Sequence, residues 1–318
     1  MRFPDFYGND GLKQRLSATT AKDGLSHCYI LEGPPGSGKK TLARLLAAAM
    51  ECEGTGDSPC GTCPACHKIF GGGHPDVITV DSDKATVPIS VIRDMQADAY
   101  IQPNEGRRKV YVIPRAQDLR APAQNALLKL LEEPPAYCAF LLLTDNMEKL
   151  LTTVRSRAVV LTLYPLSGAE LKQRLTQLAP NASPDELADA MEKSEGYLGA
   201  ALKLLDEPET VQDQKARAFI EAYASGDECK LLEMLVPLEK LKRQDLLSLL
   251  QQLYRTFTRS IDEGSAGHKT KEIRLLAQTA SQKQRYDAAQ ALSHAITLLQ
   301  ANGSSGHAVG ALMAQLRP

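Results

Sequence analysis

The stretch that most limits what this chain can fold into is GPPGSGKKT at residues 33–41, between an apolar run at 28–31 and an Ala- and Leu-rich run at 42–50. Its glycines let the backbone curl so that successive N–H groups face one point, at a helix N-terminus that already favours anions. Against the pattern G-x-x-x-x-G-K-[ST], Gly33, Gly38 and Lys39 fit, with Gly36 inside the turn. Lys39 is placed to reach β- and γ-phosphates, but Lys40 stands where a hydroxyl should hold Mg²⁺. Thr41 comes one residue late and points about 100° away on a helix. The cradle for a nucleotide phosphate is strong; its metal site is weakened. ATP or ADP binding without turnover is the expectation.

The segments around this loop keep an α/β rhythm. Short apolar runs at 77–80, 109–113, 139–144 and 159–163 read as further strands, and 12–20, 89–100 and 121–131 have helical spacing. Strands alternating with helices argue a parallel sheet covered on both faces. After Pro165 the pattern becomes helical throughout. Ser167 with Glu170 and Ser183 with Glu186 are capping boxes, the second with Pro184 at the first helical position. Helices are expected at 168–178, 184–195 and 197–205, then near 210–224, 229–235, 243–262, 271–278, 282–300 and 307–316, with a turn at 302–306.

Length and charge narrow the class. A chain of 318 residues holds about two domains, and three small ones are compatible with it. A formal charge of −1 argues against a broad nucleic-acid footprint. No apolar run approaches the ~20 residues that span a bilayer, and the start, MRFPDFYGND, lacks a secretory pattern. Four of the seven cysteines fall within 52–66, which points to a metal site in a reducing cytoplasm.

Those four are Cys52, Cys60, Cys63 and Cys66. Thiolates at two-residue spacing fold around one ion on a tight turn, and four soft ligands suit tetrahedral Zn²⁺. An iron–sulfur cluster is the rival, although its usual fourth cysteine three residues on is missing. His67 or His74 could replace Cys52 as the fourth ligand. Cys28, Cys138 and Cys229 read as buried packing residues. Arg107, Arg108 and Lys109 read as a solvated loop, and Glu132 and Glu133 as acids at a helix end, either solvated or supporting an interface.

KVYVIPRAQDL at 109–119, QNALLKLLEEPP at 124–135 and TVRSRA at 153–158 carry a resemblance. With the four-cysteine insertion, they resemble the delta-prime family of bacterial DNA polymerase III clamp-loader subunits, which are AAA+ proteins. The resemblance implies a P-loop domain at 1–165 with a zinc module at about 52–73, a three-helix lid at 166–207 and a helical collar at 208–318. It implies that Arg157, in the S-R-C position with Ala158 replacing Cys, crosses a subunit interface to the γ-phosphate held by a neighbour; Arg155 is a weaker candidate. Thr144 falls at the sensor-1 position, or caps the turn after it. Motor subunits look like I-D-E where this chain has Ile113, Pro114 and Arg115, and like G-x-x-R where it has Gly196, Tyr197, Leu198 and Gly199. With Lys40, three parts of the phosphoryl-transfer apparatus are gone.

The role implied is a non-hydrolysing ring member that helps load a sliding clamp on primed DNA. Its expected partners are the γ/τ and δ subunits, the clamp, and DNA through the assembled complex. Two alternatives stand beside it: a γ/τ-like ATPase with unusual motifs, and a stand-alone AAA+ DNA-repair adaptor. Without the resemblance, Arg157 reads as a surface charge worth under ~1 kcal/mol.

Overall fold

The computed structural model describes residues 1–22, 24–82, 86–206, 211–261, 270–301 and 303–316. The junction expected at 207–208, the helix ends expected at Thr210 and Asp262, and Asn302 in the expected turn lie outside them. Five strands form one parallel sheet: β1 (Cys28–Glu32), β2 (Val77–Thr79), β3 (Lys109–Ile113), β4 (Cys138–Thr144) and β5 (Val159–Thr162), in the order β2-β3-β4-β1-β5. Register is set by pairs such as Ile30 with Leu142 and Val160, and Tyr111 with Phe140. All seven residues of β4 are buried, as a strand covered on both faces must be.

Period-two alternation divides these side chains between two cores. Tyr29, Leu31, Leu141 and Leu143 pack with residues of α1 (Asp10–Lys22), α2 (Lys39–Glu51) and α3 (Pro64–Phe70). Cys28, Ile30, Phe140 and Leu142 pack with residues of α4 (Ile89–Ala99), α5 (Ala121–Glu132) and the one-turn α6 (Thr152–Arg155). Tyr111 stacks on Phe140 with ring centroids 5.5 Å apart. Met147–Lys149 form a 3-10 turn after β4.

The remaining helices are α7 (Gly168–Leu178), α8 (Pro184–Lys193), α9 (Leu198–Asp206), α10 (Val211–Ala224), α11 (Glu228–Leu235), α12 (Arg243–Ile261), α13 (Lys271–Thr279), α14 (Gln282–Gln300) and α15 (Ser305–Gln315). The capping boxes at Ser167 and Ser183 form with Glu170 and Glu186. The chain divides into two compact units: Met1–Leu175 with Glu195–Ala201, and Thr176–Ser194 with Leu202–Pro318. The second unit has its own core, where Tyr223 and Phe219 meet Phe257 edge-on at 4.9 and 6.5 Å.

Two expectations need correction. Cys229 is exposed, because it lies in the first turn of α11 while Leu231 and Leu235 take the inward face. Lys109 is 2% exposed rather than solvated. As the first residue of β3 it points into the sheet's flank, and its ammonium donates to Asp98 Oδ1 at 2.9 Å and to the Asp98 and Ile101 carbonyls. Tyr111 donates to the other oxygen of Asp98 at 2.7 Å. The paired carboxylate is what makes the buried ammonium tolerable.

Two buried carboxylates fasten the loop that leads into β3. Asp76 accepts from the N–H groups of Asn104, Glu105 and Gly106 at 2.7–2.9 Å, and Glu51 from those of Arg107 and Arg108 at 2.7 and 2.9 Å. Burial alone raises the Asp76 carboxyl, but these N–H groups outweigh it and hold it below the usual range. Asp76→Asn should therefore cost about 2–4 kcal/mol at neutral pH, since one acceptor becomes a donor facing N–H groups. Because the folded pKa is depressed, Asp76 contributes in full above its unfolded value of about 4, and the contribution is lost as pH falls through the folded value. In urea melts across pH 7 to 3, the gap between the two proteins should narrow toward acid.

Candidate phosphate loop, cysteine cluster and surface arginine

The C-terminal ends of β1 and β4 lie side by side, with the Gly33 N–H donating to the Thr144 carbonyl at 3.2 Å. The phosphate loop leaves β1 there and enters α2 through Gly38 at φ 95° and Lys39. Gly36 sits at φ 79°, a left-handed conformation that favours glycine. Lys39 is 9% exposed. Its ammonium donates to the carbonyls of Gly33 and Pro34 and pairs with Asp145 Oδ1 at 2.6 Å.

Asp145 is a residue that sequence reasoning missed. Its only signal is its position immediately after β4, next to Thr144. Thr144 is buried, and its hydroxyl donates to the Asn146 carbonyl and accepts from the Asn146 N–H, so it caps that turn.

The first turn of α9 closes over the loop. The Gly199 N–H donates to the Gly36 carbonyl at 3.0 Å. A Cβ on Gly36 would meet the Ala200 nitrogen at 2.3 Å, and one on Gly199 would meet the Gly36 carbonyl oxygen at 2.7 Å. Backbone of the first turn of α9 therefore packs directly against the loop.

Beyond β3 stands a cation, as its sequence requires. Arg115 contacts Asp81 Oδ1 through Nε at 3.0 Å and Nη2 at 2.6 Å, and faces Asp118 at 3.6 Å. Burial alone raises the Asp81 carboxyl, but Arg115, the Ser82 N–H and the charge of Lys40 hold it low. The groups around the loop fit a phosphate through Lys39 and the open N–H groups that begin any helix.

The four cysteines come together as expected. Their Sγ atoms all lie within 4.8 Å of one another, and those of Cys60 and Cys66 are 4.0 Å apart. Tetrahedral Zn–S bonds of about 2.3 Å imply S···S separations of about 3.8 Å, so the cluster could hold a metal. Cys52 follows the end of α2, and Cys63 caps α3, its Sγ accepting from the Cys66 N–H at 3.4 Å. Cys60 Sγ accepts from the Thr62 hydroxyl and from the N–H groups of Thr62 and Cys63. These bonds pull the Cys60 thiol down to about 5. Burial pushes Cys66 up to about 12. His74 is buried elsewhere, accepting from the Asp76 N–H, so neither it nor His67 joins the cluster.

Arg157 lies on the turn between α6 and β5, its side chain 35% exposed. Nη2 pairs with Glu132 Oε1 at 2.6 Å, while Nη1 donates to the Thr153 carbonyl at 2.8 Å and to Ser156 Oγ at 3.3 Å. Arg155 is half-buried, and among the described residues its guanidinium donates to Thr152 Oγ1. Buried Gln124, also unforeseen, joins α5 to this region. Its amide donates to the Leu119 and Lys149 carbonyls and accepts from the Leu151 N–H.

A parallel sheet with a glycine-rich loop between β1 and the N-terminus of α2 defines a P-loop fold. The fold is similar to that of a DNA polymerase III gamma subunit-related protein from Thermotoga maritima, with a TM-score of 0.52, 17% identity, and 95% of this chain and 97% of that one covered. Residues 8–167 match the model of the family described as DNA polymerase III, delta subunit. The chain is 32% identical to DNA polymerase III subunit delta′ of Bacillus subtilis over 208 residues, covering 62% of this chain and 63% of that protein. It is 38% identical to the delta′ subunit of Pseudomonas aeruginosa over 171 residues, covering 53% and 51%. It is also 33% identical to subunit tau of Escherichia coli over 210 residues, 64% of this chain and 32% of that one. The chain thus spans less than two thirds of these curated relatives. It belongs to the DNA polymerase III delta-subunit family of clamp-loader proteins.

Proposed function

We propose that this chain is the delta-prime-type member of a clamp loader: a stationary subunit that does not hydrolyse ATP and lends Arg157 to a neighbour. The observation that carries the reading is Arg115, a cation paired with Asp81 at the end of β3, where hydrolysis needs a metal-binding acid. Lys40 and Gly199 support it, since neither supplies the hydroxyl or the guanidinium of an active site. The partners are the γ/τ motor and the δ subunit, and the complex opens a sliding clamp and loads it on primed DNA in the cytoplasm. The helices after Pro165 serve as lid (166–207) and collar (208–318).

The Cys52–Cys60–Cys63–Cys66 cluster holds a structural zinc, which steadies the module between α2 and β2 and does no chemistry. Elemental analysis of the purified chain should find one zinc per molecule, and Cys63→Ser should fall well below that.

A γ/τ-like motor is the second reading, favoured by the tau relatives and by Asp145, a carboxylate beside Lys39. Asp145 pairs with Lys39, so a phosphate at the loop shares the lysine with a carboxylate, which weighs against turnover. Arg157 is partly exposed on a permanently charged, planar group suited to phosphate. In a complex reconstituted with γ/τ and δ, Arg157→Ala should leave assembly intact and slow DNA-stimulated ATPase by about tenfold or more. Unchanged ATPase would remove the finger assignment, and turnover of Mg²⁺-ATP by the isolated chain would favour the motor.

A further inference from the structure

Glu132 ends α5, where the helix dipole disfavours a carboxylate. Its neighbour Glu133 has no ion pair among the described residues, whereas Glu132 Oε1 lies 2.6 Å from Arg157 Nη2. Ser156 and Thr153 hold the other terminal nitrogen of the same guanidinium. Three anchors from two separate elements thus fix a surface arginine that would otherwise sample many rotamers.

The anchoring leaves donors to spare. A guanidinium carries five N–H donors. Two on Nη1 go to Thr153 and Ser156 and one on Nη2 goes to Glu132. The Nε–H and the second Nη2 hydrogen make no other bond among the described residues. Arg157 can therefore keep every contact to its own chain while presenting an open edge to an anion outside it. A planar group already aimed loses less freedom when it meets a phosphate than a free one does.

We propose that Glu132 is a positioning residue for Arg157: its carboxylate holds the guanidinium in the orientation from which it meets the terminal phosphate of a nucleotide bound by the adjacent subunit. This rests on the finger reading above. Glu132 touches neither nucleotide nor reacting atoms, so its effect passes entirely through Arg157. The pairing with Glu132 makes the end of α5 part of the arginine's setting, which neither side chain's place in the sequence reveals.

The test is a double-mutant cycle in the complex reconstituted with γ/τ and δ, assayed with ATP, sliding clamp and primed DNA, with assembly checked by gel filtration. Four versions are compared: unaltered, Glu132→Gln, Arg157→Ala and both. Glu132→Gln should lower kcat three- to tenfold at saturating ATP with KM within twofold, and should add nothing once Arg157 is alanine. If Arg157→Ala slows the complex but Glu132→Gln leaves kcat unchanged or raises it, the positioning role is wrong. An equal loss with and without Arg157 also overturns it, since Glu132 would then act through the fold of α5. If Arg157→Ala itself changes nothing, the finger reading fails and the role of Glu132 fails with it.

Discussion

The groups around the phosphate loop hang from the C-terminal edge of a parallel sheet whose strand β4 is buried along its whole length. Burial on both faces demands a continuous apolar strand, and β4 supplies Cys-Ala-Phe-Leu-Leu-Leu before ending on Thr144. Its pairing with β1 on one side and β3 on the other brings three strand ends together. The phosphate loop follows β1, Asp145 follows β4, and Arg115 lies two residues after the end of β3. Parallel strands with crossover helices place their ligand-facing loops at this edge, so the topology by itself assembles the site.

What is assembled there is a set of charges already satisfied by one another. Lys39 is shared among two loop carbonyls and Asp145, and Arg115 among Asp81, Asp118 and the Ser82 carbonyl. A catalytic phosphate site needs cations facing an open cradle and acids facing a metal. In this chain the acids face the cations. Gly199 packs on Gly36 at the same loop, backbone against backbone. Arg157, partly exposed, stands away from this edge on the turn before β5.

Much of the fold was legible because its signals are local. Strand runs bounded by Gly, Pro and Asp, capping boxes at Ser167 and Ser183, and the C-x₂-C-x₂-C spacing each depend on residues within one turn or one strand. Non-local partners were not legible. Asp145 reaches Lys39 across two strands, Asp98 reaches Lys109 from the end of α4, and Glu132 reaches Arg157 from the end of α5. A lysine opening a strand looks solvated until the acid that buries it is known, and so Lys109 was misjudged with its arginine neighbours. Cys229 was misjudged for the opposite reason. Leucines follow it in sequence, but its immediate neighbours Glu228 and Lys230 are charged and the helix turns it away from Leu231 and Leu235, which pack. The loop held by Asp76 and Glu51 had no signature, since its bonds run from backbone N–H groups to carboxylates 28 to 57 residues distant.

The claim that this chain acts on its neighbour's nucleotide and not on its own is open to direct inspection. An electron-microscopy structure of the assembled loader, prepared with a non-hydrolysable ATP analogue, Mg²⁺ and primed DNA, would show both places at once. The account expects the Arg157 guanidinium within about 3 Å of the terminal phosphate held by the adjacent subunit. It expects Lys39 still paired with Asp145 and no Mg²⁺ at the loop beside it. Mg²⁺-nucleotide coordinated by Asp145 and gripped by Lys39, with Arg157 facing solvent, would contradict it.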